Sequence, residues 1–199
     1  MRKIFEITFL ILIMLSVIGC KKVPVPKPKG YFRIDMPERE HIIFNPIKNS
    51  ENYLPFSFEY PAFGKINFNK EFDNETGWFN IEFPAYKASL YLTYKDINRN
   101  FDDLMEQTYR MNVRSHIARA DAISERYFEN DSARVYGILY DLKGNAATAV
   151  QFYMTDSVRH FLRGSLYFNS PPNADSLDPV VRYFREDIIT LIETLKWDN

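Results

Sequence analysis

Cysteine is almost missing from this chain: among 199 residues there is one, Cys20. That excludes an internal disulfide, and with it the small exported domains stapled by cross-links. Glycine is scarce at seven residues, and no glycine-rich loop is present to cradle a nucleotide phosphate. The three histidines, His41, His116 and His160, are far apart in sequence. No H-E-x-x-H and no D-x-D-x-D-G loop occurs, so a zinc or calcium site is not expected. No G-x-S-x-G elbow is present. Ser115 and His116 are neighbours that would point apart on a helix, which removes them as a nucleophile–base pair. His116 and His160 read as partly buried structural histidines. A surplus of one charge is also lacking: the formal net charge is −1, and no basic stripe suggests nucleic acid. The pairs Asp102/Asp103 and Glu186/Asp187 read as a helix cap and a solvated helix face. No catalytic, cofactor-binding or metal-ligating residue emerges, and the chain is not expected to be an enzyme.

What is present begins with the position of Cys20. Arg2 and Lys3 precede a run from Ile4 to Ile18 that is apolar apart from Glu6, Thr8 and Ser16, and Gly19 stands at the cut. This is the layout of a secretory signal peptide. A membrane-spanning helix needs about 20 apolar residues, and this run is shorter. V-I-G-C resembles the bacterial lipobox. It implies cleavage before Cys20, an S-linked diacylglycerol and an N-acyl chain such as palmitate on that residue, and no other cofactor. One acyl chain anchors marginally and two or three anchor stably. The expected organisation is a signal peptide over 1–19, a lipidated stalk over 20–30 and one globular domain over 31–199. In the stalk, Pro24, Pro26 and Pro28 alternate with Val and Lys, which favours an extended polyproline-like chain. At about 3.1 Å per residue it would reach on the order of 30 Å. Lys21, Lys22, Lys27 and Lys29 serve solubility or attract anionic headgroups at about 1 kcal/mol per charge.

Aromatic residues make up 16% of the chain, with 17 Phe and 13 Tyr. They suit either a β-rich core with half-buried tyrosines or an aromatic surface for sugars or peptides. Strand patterns run over Leu54–Tyr60, Lys65–Phe68, Trp78–Phe83 and Ala88–Tyr94, with Pro61 and Pro84 each closing a run. A helix is expected over 100–119, capped by Asn100 and buried along Met105, Tyr109, Val113, Ile117 and Ala120. Strands resume at 125–129, Ala133–Leu142, Ala146–Met154 and Val158–Phe168, with turns at Gly144-Asn145 and Thr155–Ser157. In the last strand, Val158, His160, Leu162, Leu166 and Phe168 form the inward set. Arg159, Arg163 and Ser165 form the wet set. A final helix, capped by Ser176 or Asp178 with Pro179 in its first turn, buries Val181, Phe184, Ile188, Leu191 and Leu195. The sum is an α+β domain, a mostly antiparallel multi-stranded sheet with two main helices. Its layout is similar to that of the Mog1/PsbP-like fold.

Three stretches carry a closer resemblance: P-K-P-K-G-Y-F-R-I-D-M-P (Pro26 to Pro37), F-L-R-G-S-L-Y-F-N-S-P-P-N-A-D-S-L-D-P-V (Phe161 to Val180) and E-D-I-I-T-L-I-E-T-L-K-W (Glu186 to Trp197). Through them the chain resembles the GldD family of gliding-motility lipoproteins of Bacteroidota. The resemblance implies a cell-envelope protein required for gliding and linked to the type IX secretion machinery. Its partners would be the membrane, through the lipid, and other gliding or secretion envelope proteins. The only site residue it carries across is Cys20, as the lipid attachment. Lys21-Lys22 after the cysteine lacks the Asp of an inner-membrane retention signal and any acidic export cluster. The expected place is therefore the periplasmic face of the outer membrane. The alternative is a periplasmic lipoprotein that binds a glycan or another small ligand through the aromatic surface.

Overall fold

A computed structural model describes residues 34–45, 53–68, 77–170 and 173–198. Cys20, the signal peptide and the stalk lie outside the described residues. Described strands in chain order are β1 (His41–Phe44), β2 (Phe56–Pro61), β3 (Lys65–Phe68), β4 (Trp78–Phe83) and β5 (Ala88–Asp96). After α1 (Phe101–Tyr109) come β6 (Ala122–Asn130), β7 (Val135–Lys143), β8 (Thr148–Thr155) and β9 (His160–Phe168). Helix α2 (Ala174–Thr194) and the short β10 (Lys196–Trp197) end the fold. Seven strands form one sheet in the order β3-β4-β5-β9-β8-β7-β6, and β1-β2-β10 form a smaller one. All neighbouring strands are antiparallel. The α+β expectation holds.

One face of the large sheet meets α2 and the small sheet. Alternation along the strands sends Phe79, Ile81, Leu90, Leu92, Phe152 and Leu166 into this layer, each at most 3% exposed. The phenylalanine surplus goes here: Phe44, Phe58 and Phe79 stack with centroids 5.0–6.4 Å apart, and Phe184 of α2 sits 4.6 Å from Phe83. Offset ring pairs of this kind add about 0.5–1.5 kcal/mol each beyond area burial. At Gly164 an added Cβ would stand 2.3 Å from the Phe152 ring, so glycine makes the room for that ring. The opposite, outer face carries a smaller cluster, in which Leu104 of α1 covers Tyr140, Leu142, Tyr153 and Phe161.

Several expectations are corrected. The first helix stops being α-helical at Tyr109 and widens into a π turn over Arg110–Arg114, with Ser115 N–H reaching the Arg110 carbonyl at 3.0 Å. The buried stripe is Leu104, Thr108 and Asn112, at four-residue steps, so the side of the helix that faces the sheet is set one residue away from the expected one and Tyr109 (45%) and Ile117 (61%) are exposed. Asn100 does not cap α1 with its side chain, which instead accepts from Asn98 N–H at 2.7 Å. In α2 the cap is Asn173, accepting from Ser176 N–H, so the helix starts earlier and Pro179 falls inside it. Val158 is exposed because it stands in the turn before β9, and Phe161, on the nominally wet side, is buried under α1. Asp187 is only 4% exposed and is no part of a solvated face.

Candidate functional site

Three polar clusters hold the chemistry of the described domain. The first fastens the residues leading into β1. Tyr86 Oη donates to the Asp35 carbonyl at 3.3 Å, and Tyr183 Oη donates to the Pro37 carbonyl at 3.0 Å. Arg39 lies 4.7 Å over the Tyr183 ring and donates to the Tyr183 carbonyl. On the next turn of α2, Asp187 Oδ1 takes His41 Nε2 at 3.1 Å and Arg39 Nε at 3.4 Å. Burial pushes the Asp187 carboxyl above the usual range, and the contacts from His41 and Arg39 only partly oppose that. Its Oδ2 has no hydrogen-bond partner among the described residues, and Asp187 lines an apolar void of about 10 Å³ beside Phe184 and Leu191, the room of a single water. A histidine on a buried carboxylate is two thirds of a hydrolytic triad. Here, however, the Nε2 that would take a proton is the atom bound to Asp187. The cluster is a clamp.

The second cluster sits at one end of β5 and β9. Tyr94 Oη donates to Asp96 Oδ1 at 2.7 Å and meets His160 Nδ1 at 2.8 Å. Because the phenol proton goes to the carboxylate, Nδ1 carries the hydrogen and Nε2 is a bare, buried acceptor. The ring stacks 5.1 Å from Trp197. Burial lowers the His160 pKa, since protonation would place a charged donor with no acceptor on that side. Asp156 closes the turn by accepting from Val158, Arg159 and His160 N–H at 2.7–3.0 Å. Burial raises its carboxyl pKa, but those three backbone donors and His160 outweigh it and leave it low. This network fixes a strand end.

The third region is the outer sheet face and its β6 edge. Strand β6 pairs with β7 over all nine residues and has no neighbour on its other side among the described residues. Tyr127 is 71% exposed. Open grooves of about 270 and 530 Å³ flank this edge, the first lined by Phe101, Tyr127, Tyr136 and Tyr153, the second by Tyr127, Glu129, Asp131 and Glu193. Both are shallow concavities, unlike an enclosed ligand pocket. Further along the face, Tyr91 and Tyr167 meet edge to face at 5.5 Å.

Residues 21–197 match the family described as gliding motility lipoprotein GldD. The chain belongs to the GldD family. Among curated proteins none matches. A solved structure, the cyanobacterial PsbP (CyanoP) of Synechocystis sp. PCC 6803 in solution, is similar at 12% identity with a TM-score of 0.48. That likeness covers 92% of this chain and 99% of the other.

GldD membership makes this chain a gliding motility lipoprotein, associated with the cell envelope through a lipid. The matched span opens one residue after Cys20 and closes on Trp197, the last residue of β10. Of the residues singled out in sequence, His116 is half-buried in the turn after α1 with its pKa lowered first by burial. His160 is buried as expected, Arg159 is exposed, and Arg163 is half-buried. The three histidines occupy different surroundings and are not brought together. Sequence reading missed Arg39, Tyr94, Asp156 and Asp187. Each is defined by a partner on another element, and no local spacing marks it.

Proposed function

We propose that this GldD-family chain is a non-enzymatic assembly component of a gliding and type IX secretion apparatus, tethered by lipid on Cys20 at the periplasmic face of the outer membrane. The observation that carries the reading is how the polar residues are used. His41, Asp187, Tyr94, His160 and Asp156 are all taken up in bonds that hold the fold. The β6 edge, by contrast, is exposed and has no strand on its outer side among the described residues. An exposed edge strand is a template for another extended segment. Beyond the Arg126–Glu193 pair, it presents Glu125, Glu129 and Asp131. An antiparallel copy of β6 centred on Tyr127 would set Glu125 against Glu129, and like charges directly opposed are unfavourable. The occupant that fits is an extended segment with basic side chains from an envelope partner.

The test combines two variants in the native organism. Cys20→Ser should carry no labelled fatty acid and should abolish motility or secretion. Glu125→Lys/Glu129→Lys should melt like the parent, keep its lipid and lose function. Labelled lipid on Cys20→Ser, or full function in the charge-reversed edge, would refute the corresponding half of the reading.

A further inference from the structure

Arg163 lies in the middle of β9 on the outer face, opposite Thr93 of β5 and Tyr153 of β8. Its guanidinium makes one hydrogen bond among the described residues, from Nη1 to the Met111 sulfur at 2.8 Å, and no ion pair there. A thioether is a weak acceptor for a group with five donors. Burying a charge is costly unless it is paired, and burial lowers the Arg163 pKa. Around it are other unmet polar groups. Gln151 Oε1 accepts from Ser165 Oγ at 3.4 Å, while its buried Nε2 has no acceptor among the described residues. Asn112, next to Met111, is fully buried with neither amide atom paired. It belongs to the π turn, a helix distortion frequent at functional sites. On the exposed side stand the two tyrosine rings, Tyr91 (46%) and Tyr167 (37%), with Tyr91 opposite Ser165.

We propose that this part of the outer face is a binding site for a carboxylate-bearing sugar, with Arg163 taking the carboxylate and the Tyr91–Tyr167 pair taking the sugar ring. A planar guanidinium matches a carboxylate bidentately. One cation neutralises one carboxylate, whereas a phosphate monoester brings nearly two charges. The hydroxyl of Ser165 and the phenols suit sugar hydroxyls, and aromatic rings present the flat apolar surface a pyranose covers. Entry of the carboxylate displaces the Met111 sulfur from Nη1. The site is separate from the β6 edge and does not depend on partner docking there.

The test is calorimetric titration of the full chain in detergent with trigalacturonic acid and with its methyl ester. The acid should bind, and the ester should bind at least about tenfold more weakly, as loss of a charge-assisted pair implies. Arg163→Gln should weaken the acid by a similar factor, and Arg163→Lys should retain part of the affinity. Tyr167→Ala should weaken acid and ester alike, and Arg182→Gln, on the exposed side of α2, should change neither. Arg163→Gln should also melt no lower than the parent, because the charge it removes has no anion. Equal binding of acid and ester, no binding of either, or unchanged binding by Arg163→Gln would overturn the site. A melt that falls in Arg163→Gln would assign the arginine to the fold. If that variant fails to fold at all, the acid–ester ratio and Tyr167→Ala decide.

Discussion

The two faces of the seven-stranded sheet follow different rules. Under α2, every strand contributes interlocking apolar side chains, and the buried polar Asp187 is held by His41 and Arg39. Under α1 the cover is shorter, its helix loosens at Tyr109, and Asn112 and Gln151 are buried with amide atoms unpaired. The inner face spends its residues on cohesion. The outer face keeps groups that a purely stabilising layer would discard.

That contrast breaks most sharply at Phe184, which is 1% exposed among Phe83, Tyr86 and Phe63. Phe184→Ala should cost about 3–5 kcal/mol, a large part of a domain's total of about 5–15. Leu104→Ala on the outer side should cost about 2, the low end for such truncations, because the exposed margin of that cluster can close in. Chemical denaturation of both variants measures the difference; equal losses would mean the faces are equally cohesive. If Phe184→Ala melts like the parent yet loses function, the α2 face is an interface and its place in the core is refuted.

A second, smaller effect separates the ends of the sheet by pH. His160 has a folded pKa below its ordinary 6.5, so the unfolded chain binds the proton more readily. Its contribution is therefore complete above about pH 6.5 and is lost as pH falls toward the folded value. His116 acts in the same direction, and Asp187, with its raised pKa, acts in the opposite one at lower pH. Comparing melts at pH 7.5 and 5.5 for the parent and for His160→Gln isolates the first of these. The variant should lose less on acidification, and an identical loss would show that His160 does not titrate in this window.

The smallest expected change has the opposite sign. Asn112→Leu should raise the unfolding free energy measured by chemical denaturation by about 1 kcal/mol, since an unsatisfied buried amide costs about 1–3. A fall instead would mean the amide has partners that hold the outer face together.

Much of the inner face could be read along the chain. β3 and β4 stand where alternation places them, and Pro61 and Pro84 do end β2 and β4. The α2 stripe at Phe184, Ile188, Leu191 and Leu195 is buried as its spacing implies. Periodicity serves there because one face meets one continuous core. It misleads at α1, where the polar Thr108 and Asn112, in step with Leu104, face the sheet and the apolar Tyr109 and Ile117 do not. The polar clusters are beyond local reading altogether. Asp187 meets His41 across 146 residues and Arg163 meets Met111 across 52. A carboxylate next to Glu186 looks solvated until the strand that covers it is known.

The clamp on residues 35–41 has a mechanical meaning. Tension applied to the chain ahead of Ile34 meets, in turn, the Tyr86 contact at Asp35, the Tyr183 contact at Pro37, and the Arg39 and His41 grips on Asp187. The backbone pairing with the end of β2 starts between the last two, where Ala62 N–H donates to the Glu40 carbonyl at 2.8 Å, and continues through His41 opposite Pro61. Each grip is a side-chain contact made outside the backbone ladder of the sheet. A pull on the chain before Ile34 would therefore load side-chain bonds to α2 and to Tyr86 before most of the β1–β2 pairing.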